Sequence, residues 1–145
     1  IAPKDPAAAK ELLEAIAGVT WAEDHVIAEG AVFNTPVRSG ADLSFTYSLL
    51  RGNEFEVLHY TDGPNWIDAG RGRGTVSHFG MHCSASDLDL WHEFFAARGI
   101  ALAQAVTTLS HTNPVIADSR RYTYAIFDTY DILGVDLKFI VRHLL

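Results

Sequence analysis

The sequence predicts one α+β domain made of two modules, each a helix followed by three strands. Three observations carry that expectation. Short period-two runs recur along the chain, the cleanest being Asp42 to Leu50, where Leu43, Phe45, Tyr47 and Leu49 alternate with other residues. Helical spacing of apolar residues occurs in two stretches, and each precedes a set of such runs. The length of 145 residues, 48% of them apolar and 20% charged, suits one soluble globular domain.

In chain order, Asp5-Pro6 opens the first helix, because a carboxylate N-cap followed by proline at the first helical position satisfies the free end of a helix. Ala9, Leu12, Leu13 and Ile16 give it an apolar stripe and Gly18 stops it, so the helix spans Pro6 to Ala17. Thr20 to Phe33 reads as extended, Asn34-Thr35-Pro36 punctuates it, and Asp42 to Leu50 follows as a strand. Arg51-Gly52-Asn53 reads as a turn and Glu54 to Tyr60 as the third strand, with the three strands antiparallel. Thr61 to Gly74 is irregular. Its run Gly70-Arg71-Gly72-Arg73-Gly74 lies between strands rather than at a helix N-terminus, so it reads as a connector and not as a dinucleotide loop. Residues 67–74 thus divide a first module (1–66) from a second (75–145).

The second module opens on Thr75 to Ser84, TVSHFGMHCS, read as a strand with His78, Gly80 and His82 on one face and Phe79, Met81 and Cys83 on the other. Ser86 and Asp89 resemble a capping box, and Leu88, Trp91, Phe94 and Phe95 form the stripe of a helix from Asp87 to Arg98 that Gly99 ends. Ile100 to Thr108, Arg121 to Asp128 and Val135 to Arg142 complete the module, with His111 to Pro114 and Tyr130 to Gly134 as connections. The first module lacks the leading strand that the second has.

A formal charge of −7 argues against a nucleic-acid partner, whose phosphates need clustered Lys and Arg, and suits a neutral or cationic small molecule. No apolar run approaches the roughly 18 residues of a membrane helix. Cys83 is the single cysteine, which leaves no internal disulfide and fits a reducing, cytoplasmic compartment. A chain that starts at Ile1 instead of methionine points to upstream residues having been removed.

Several side chains stand out chemically. Glu54 and Glu56 share one face of a strand with apolar neighbours, where an unpaired carboxylate is costly to bury, so that face either is solvated or needs a metal, a cation or Lys138. His78 is either a ligand or a hydrogen-bonded pocket residue. His82 lies about 13 Å further along an extended strand at roughly 3.3 Å per residue, too far to share one ion with it. Tyr122 and Tyr124 alternate on one strand and either line a ligand pocket or pack across strands. Trp21, Trp66 and Trp91 read as core or rim anchors. Ser77-His78 places the two side chains on opposite faces, and Cys83 has no base on its own face, so no nucleophile is assembled.

The order of elements, together with SHFGMHC, EFEVLHY and the closing GVDLKFI, resembles the vicinal oxygen chelate superfamily of glyoxalases, extradiol dioxygenases and bleomycin-resistance proteins. The resemblance implies two βαβββ-like modules forming a cupped mixed sheet around a small-molecule pocket, with the first strand of module one missing. It also implies one divalent metal ion (Fe, Mn, Ni or Zn) held by a His on the first strand and a Glu on the last strand of each module. His78 takes the second-module histidine position and Glu56 the first-module glutamate position, whereas Lys138 stands where the second glutamate belongs. The implied function is a metal-dependent isomerase, lyase or dioxygenase, with His78 and Glu56 on the metal, Glu56 and Lys138 at the chemistry, and Tyr122, Tyr124 and His82 on the ligand. The alternative is a metal-free binding or sequestering protein on the same fold. A third reading is a partner module whose exposed strand edge is covered by a second copy, as a homodimer.

Overall fold

The computed structural model describes residues 1–46, 54–63 and 78–145. Among them are helices α1 (Pro6–Ala17), α2 (Ala85–Ala96) and α3 (Tyr130–Leu133), and strands β1 (Trp21–Val32), β2 (Thr35–Thr46), β3 (Glu56–Asp62), β4 (His78–Cys83), β5 (Leu102–His111), β6 (Arg120–Phe127) and β7 (Asp136–Leu144). The strands form one mixed sheet in the order β3-β2-β1-β5-β6-β7-β4, curled into a half-barrel. The expected α+β class and cupped sheet are therefore present. No helix among the described residues is long and apolar enough to cross a membrane.

The order encodes a pseudo-repeat. In the second module β4 runs parallel to β7, which α2 makes possible by crossing over, while β5, β6 and β7 are antiparallel neighbours. In the first module β1, β2 and β3 repeat the antiparallel part. Ile1 lies where β4 would be: its nitrogen donates to the Glu56 carbonyl at 2.7 Å and its carbonyl accepts from the Leu58 N–H at 2.8 Å. Bonding to both residues that flank Val57 is the pattern of a parallel pair.

Helix α1 starts and stops as its sequence dictates, with the Asp5 carboxylate accepting from the Ala8 N–H at 3.0 Å and Gly18 closing it in the left-handed region. Helix α2 begins two residues before the expected position. Ser84, not Ser86, is its N-cap: Ser84 Oγ accepts from the Asp87 N–H while the Asp87 carboxylate accepts from the Ser84 N–H. The expected break at Asn34-Thr35-Pro36 is instead the tip of a long hairpin. Phe33 and Asn34 both take positive φ (44° and 63°), as a two-residue turn between twisted strands requires, and β2 is already paired with β1 from Thr35 onward. Pro36 is tolerated there because β3 covers β2 only from Gly40, so among the described residues the proline stands on an edge where a missing N–H breaks no ladder. The expected turn at Arg51–Asn53, most of the irregular stretch Thr61 to Gly74 with its connector 67–74, and Trp66 lie outside the described residues.

Two larger apolar clusters and a small one of Ala2 and Ile126 hold the sheet. On the convex face α2 lays Leu88 and Phe95 against Ala125, Phe127, Phe139 and Val141, with the Phe95 and Phe127 rings stacked at 4.3 Å and Trp91 stacked on Phe139 at 5.1 Å. The concave face carries Val26, Ala28, Val32, Leu43 and Val106.

The modules meet where β1 pairs with β5, and Gly30 sets how closely. A Cβ at this position would stand against the Ala105 carbonyl oxygen and 2.6 Å from Val106 Cα, both backbone atoms of the other module. Gly30→Ala is expected to destabilise the protein by about 2 kcal/mol, within the range for overpacking. Chemical denaturation measures this, and a loss below half of that value would mean that the strands part without resistance.

Candidate functional site

The concave face encloses a cup with a cavity volume of about 40 Å³, open to solvent at its mouth. Strand alternation builds it: Val26 and Ala28 from β1, Ser39, Ala41 and Leu43 from β2, Glu56, Leu58 and Tyr60 from β3, Gln104 from β5, Tyr124 and Ile126 from β6, Lys138 from β7 and His78 from β4. Glu56 and His78 stand on strands at opposite ends of the order, and the curl of the sheet brings them together across the cup.

At its polar end Lys138 Nζ lies 3.5 Å from Glu56 Oε1 and donates to it, and His78 Nε2 lies 4.0 Å from the same oxygen. Lys138 also places its ammonium 4.2 Å from the centre of the Tyr124 ring, a cation–π contact. The side chains of Lys138 and His78 are 6% and 9% exposed, that of Glu56 31%.

Electrostatics fix the protonation of this group. Burial pushes the Glu56 carboxyl up, but the Lys138 charge beside it outweighs burial and holds it below its ordinary value, so it is ionised. Burial, reinforced by the Lys138 charge and opposed by Glu56, pushes His78 down to about 3, which leaves the imidazole neutral. Burial, with the negative charge of Glu56, raises Tyr124 well above 10, so its phenol keeps its proton. At neutral pH the end of the cup therefore presents one carboxylate, one ammonium, a neutral imidazole and a phenol.

The predicted site residues divide accordingly. Glu56, His78, Lys138 and Tyr124 converge on the cup. Tyr122 lies one step outside it, its ring parallel to Tyr124 at 6.0 Å and edge-on to His111 at 5.7 Å. His82 is exposed further along β4, opposite Ile140, and does not line the cup. Glu54 is exposed as well, its carboxyl raised by burial and by the charge of Glu56.

Among the described residues the cup presents only part of a donor set for a divalent ion. Glu56 and His78 supply two ligands, about one short of a catalytic site, and the Lys138 ammonium already occupies the carboxylate oxygen that would bind the cation. Among the described residues no three His, Cys, Asp or Glu side chains are grouped so as to hold a metal.

Sequence reasoning missed two features. Gln104 lines the cup at 4% exposure, and its place beside Val106 and Thr108 on one face of ALAQAVTT was the available signal. The other is a buried network around Asp24 and His111, whose 87-residue separation hides it from local pattern. Comparison with protein-family models and with curated proteins gives no match.

Proposed function

We propose that the protein binds a small molecule in the cup without a divalent metal. The observation that carries this reading is the Lys138 ammonium against Glu56 inside a largely apolar, concave wall. Such a cavity, mostly apolar with a few convergent polar groups, is the usual form of a small-molecule site. The element order supports the resemblance to the vicinal oxygen chelate fold, with binding or sequestration in place of metal chemistry. A second reading, the metal-dependent enzyme of that type, draws on the 4.0 Å approach of His78 to Glu56. In it the ion would polarise a substrate oxygen.

A screen of neutral and charged fragments by ligand-observed NMR, in EDTA and again with added Mn, Fe, Ni or Zn, separates the two. Binding that persists in EDTA and is lost in Ala41→Trp, which fills the cup, is the expected result. Hits that vanish in EDTA and return with one equivalent of metal would hand the site to the second reading.

A further inference from the structure

On two residues that line the cup a buried polar atom lacks a hydrogen-bond partner among the described residues, Gln104 Oε1 and His78 Nδ1. Both belong to side chains more than nine-tenths buried, and both residues line the cavity. Buried polar atoms are normally paired, and one left alone carries a desolvation cost that a bound molecule can relieve. The side-chain charges beside them cancel, since Lys138 and Glu56 face each other at 3.5 Å. The remaining wall is largely aliphatic: Val26, Ala28, Ala41, Leu43, Leu58 and Ile126. An ion entering this space would lose water and meet a partner that is already paired.

We infer that the ligand is a neutral molecule with an apolar body and one end that both donates and accepts hydrogen bonds, of which a primary carboxamide is the simplest form. An amide offers two N–H donors and a carbonyl oxygen to Gln104, His78 and the Lys138 ammonium, which has three N–H groups to share. It satisfies Gln104 whichever way that side chain is turned. This assignment rests on the binding reading above and narrows the cationic or neutral preference drawn from net charge to neutral ligands alone.

The test uses four probes of nearly one size: benzamide, benzoate, benzamidinium and ethylbenzene, titrated by NMR against the whole chain and against Gln104→Met and Gln104→Glu. Benzamide is expected to bind at least about tenfold tighter than either ion, and to lose about tenfold in Gln104→Met while ethylbenzene holds or tightens. Gln104→Glu should turn the preference toward benzamidinium, which keeps the test open should Gln104→Met fold poorly. Benzoate or benzamidinium matching benzamide, or benzamide indifferent to both substitutions, overturns the ligand class and leaves the binding reading standing. Silence from all four probes, ethylbenzene included, overturns both.

Discussion

Asp24→Ala is expected to lower the stability of the protein by about 4 kcal/mol, a large part of the roughly 5–15 kcal/mol that holds a domain together. The Asp24 and His111 side chains are each 1% exposed, and the carboxylate is the acceptor for four donors: His111 Nδ1 at 2.6 Å, the Thr112 N–H at 2.8 Å, the Asn113 N–H at 2.9 Å and the Thr112 hydroxyl at 3.4 Å. Removing it strands the buried His111 Nδ1 and the Asn113 N–H away from water, and each buried unpaired group costs about 1–3 kcal/mol. The network continues through His111 Nε2 to Thr108 Oγ1, which accepts from the Tyr122 N–H, so Asp24 also steadies the Tyr122–Tyr124 pair that backs the cup. Asp24→Asn keeps an oxygen for the two backbone donors and forfeits the charge-assisted bond to His111, for a loss of about 2 kcal/mol.

The pH dependence has a definite sign. Burial pushes the Asp24 carboxyl up, but the His111 hydrogen bond and the backbone donors of Asn113 and Thr112 outweigh it and hold the folded pKa below 3.8. A depressed carboxyl contributes stability that is complete above the unfolded value and is lost as pH falls from there through the folded pKa. The gap between wild type and Asp24→Asn should therefore be full above about pH 5 and shrink below about pH 4. Urea denaturation at both pH values measures it. A constant gap would show that the carboxylate charge plays no part.

How much of this was legible in the sequence depended on whether the cause was local. Helix α1 is written in adjacent residues, Asp5-Pro6 and Gly18, and its bounds coincide with the expected Pro6 to Ala17. The start of α2 was misplaced because Ser84 and Ser86 both offer a hydroxyl, and only the reciprocal bond with Asp87 distinguishes them. The Phe33-Asn34 tip was hidden by Pro36, which reads as a breaker until it is known that β3 leaves that part of β2 uncovered. At the site, alternation placed Glu56 and His78 on definite faces, yet their meeting depends on the curl of the whole sheet. Lys138 stands out through the resemblance, as a lysine where a glutamate is expected. Gln104 and the Asp24 network went unseen, since a polar residue inside an apolar strand becomes informative only once its face is known to be concave.

The Glu56–Lys138 pair should respond unequally to loss of its two halves. Glu56→Leu leaves the Lys138 ammonium, 6% exposed, with the Tyr124 ring and, among the described residues, no paired carboxylate, and is expected to cost about 3 kcal/mol, the low end for breaking a buried pair. Lys138→Met leaves a carboxylate that is 31% exposed and recruits water through the mouth of the cup, for about 1.5 kcal/mol. The double variant removes both desolvation penalties and adds apolar contact to Leu58 and Ile126, so it should lie within about 1 kcal/mol of wild type, since apolar residues replace buried pairs with little or no loss. A double-mutant cycle by urea denaturation gives all three values. Additive losses would mean that the two groups do not interact, and would remove the reason for reading Lys138 as the occupant of the glutamate's oxygen. If the cycle closes as expected, stability does not require the pair, and what retains it must be sought in ligand recognition. Benzamide binding to the stable double variant then measures that directly: a loss of affinity in a protein that is still fully folded assigns the two charges to the ligand rather than to the fold.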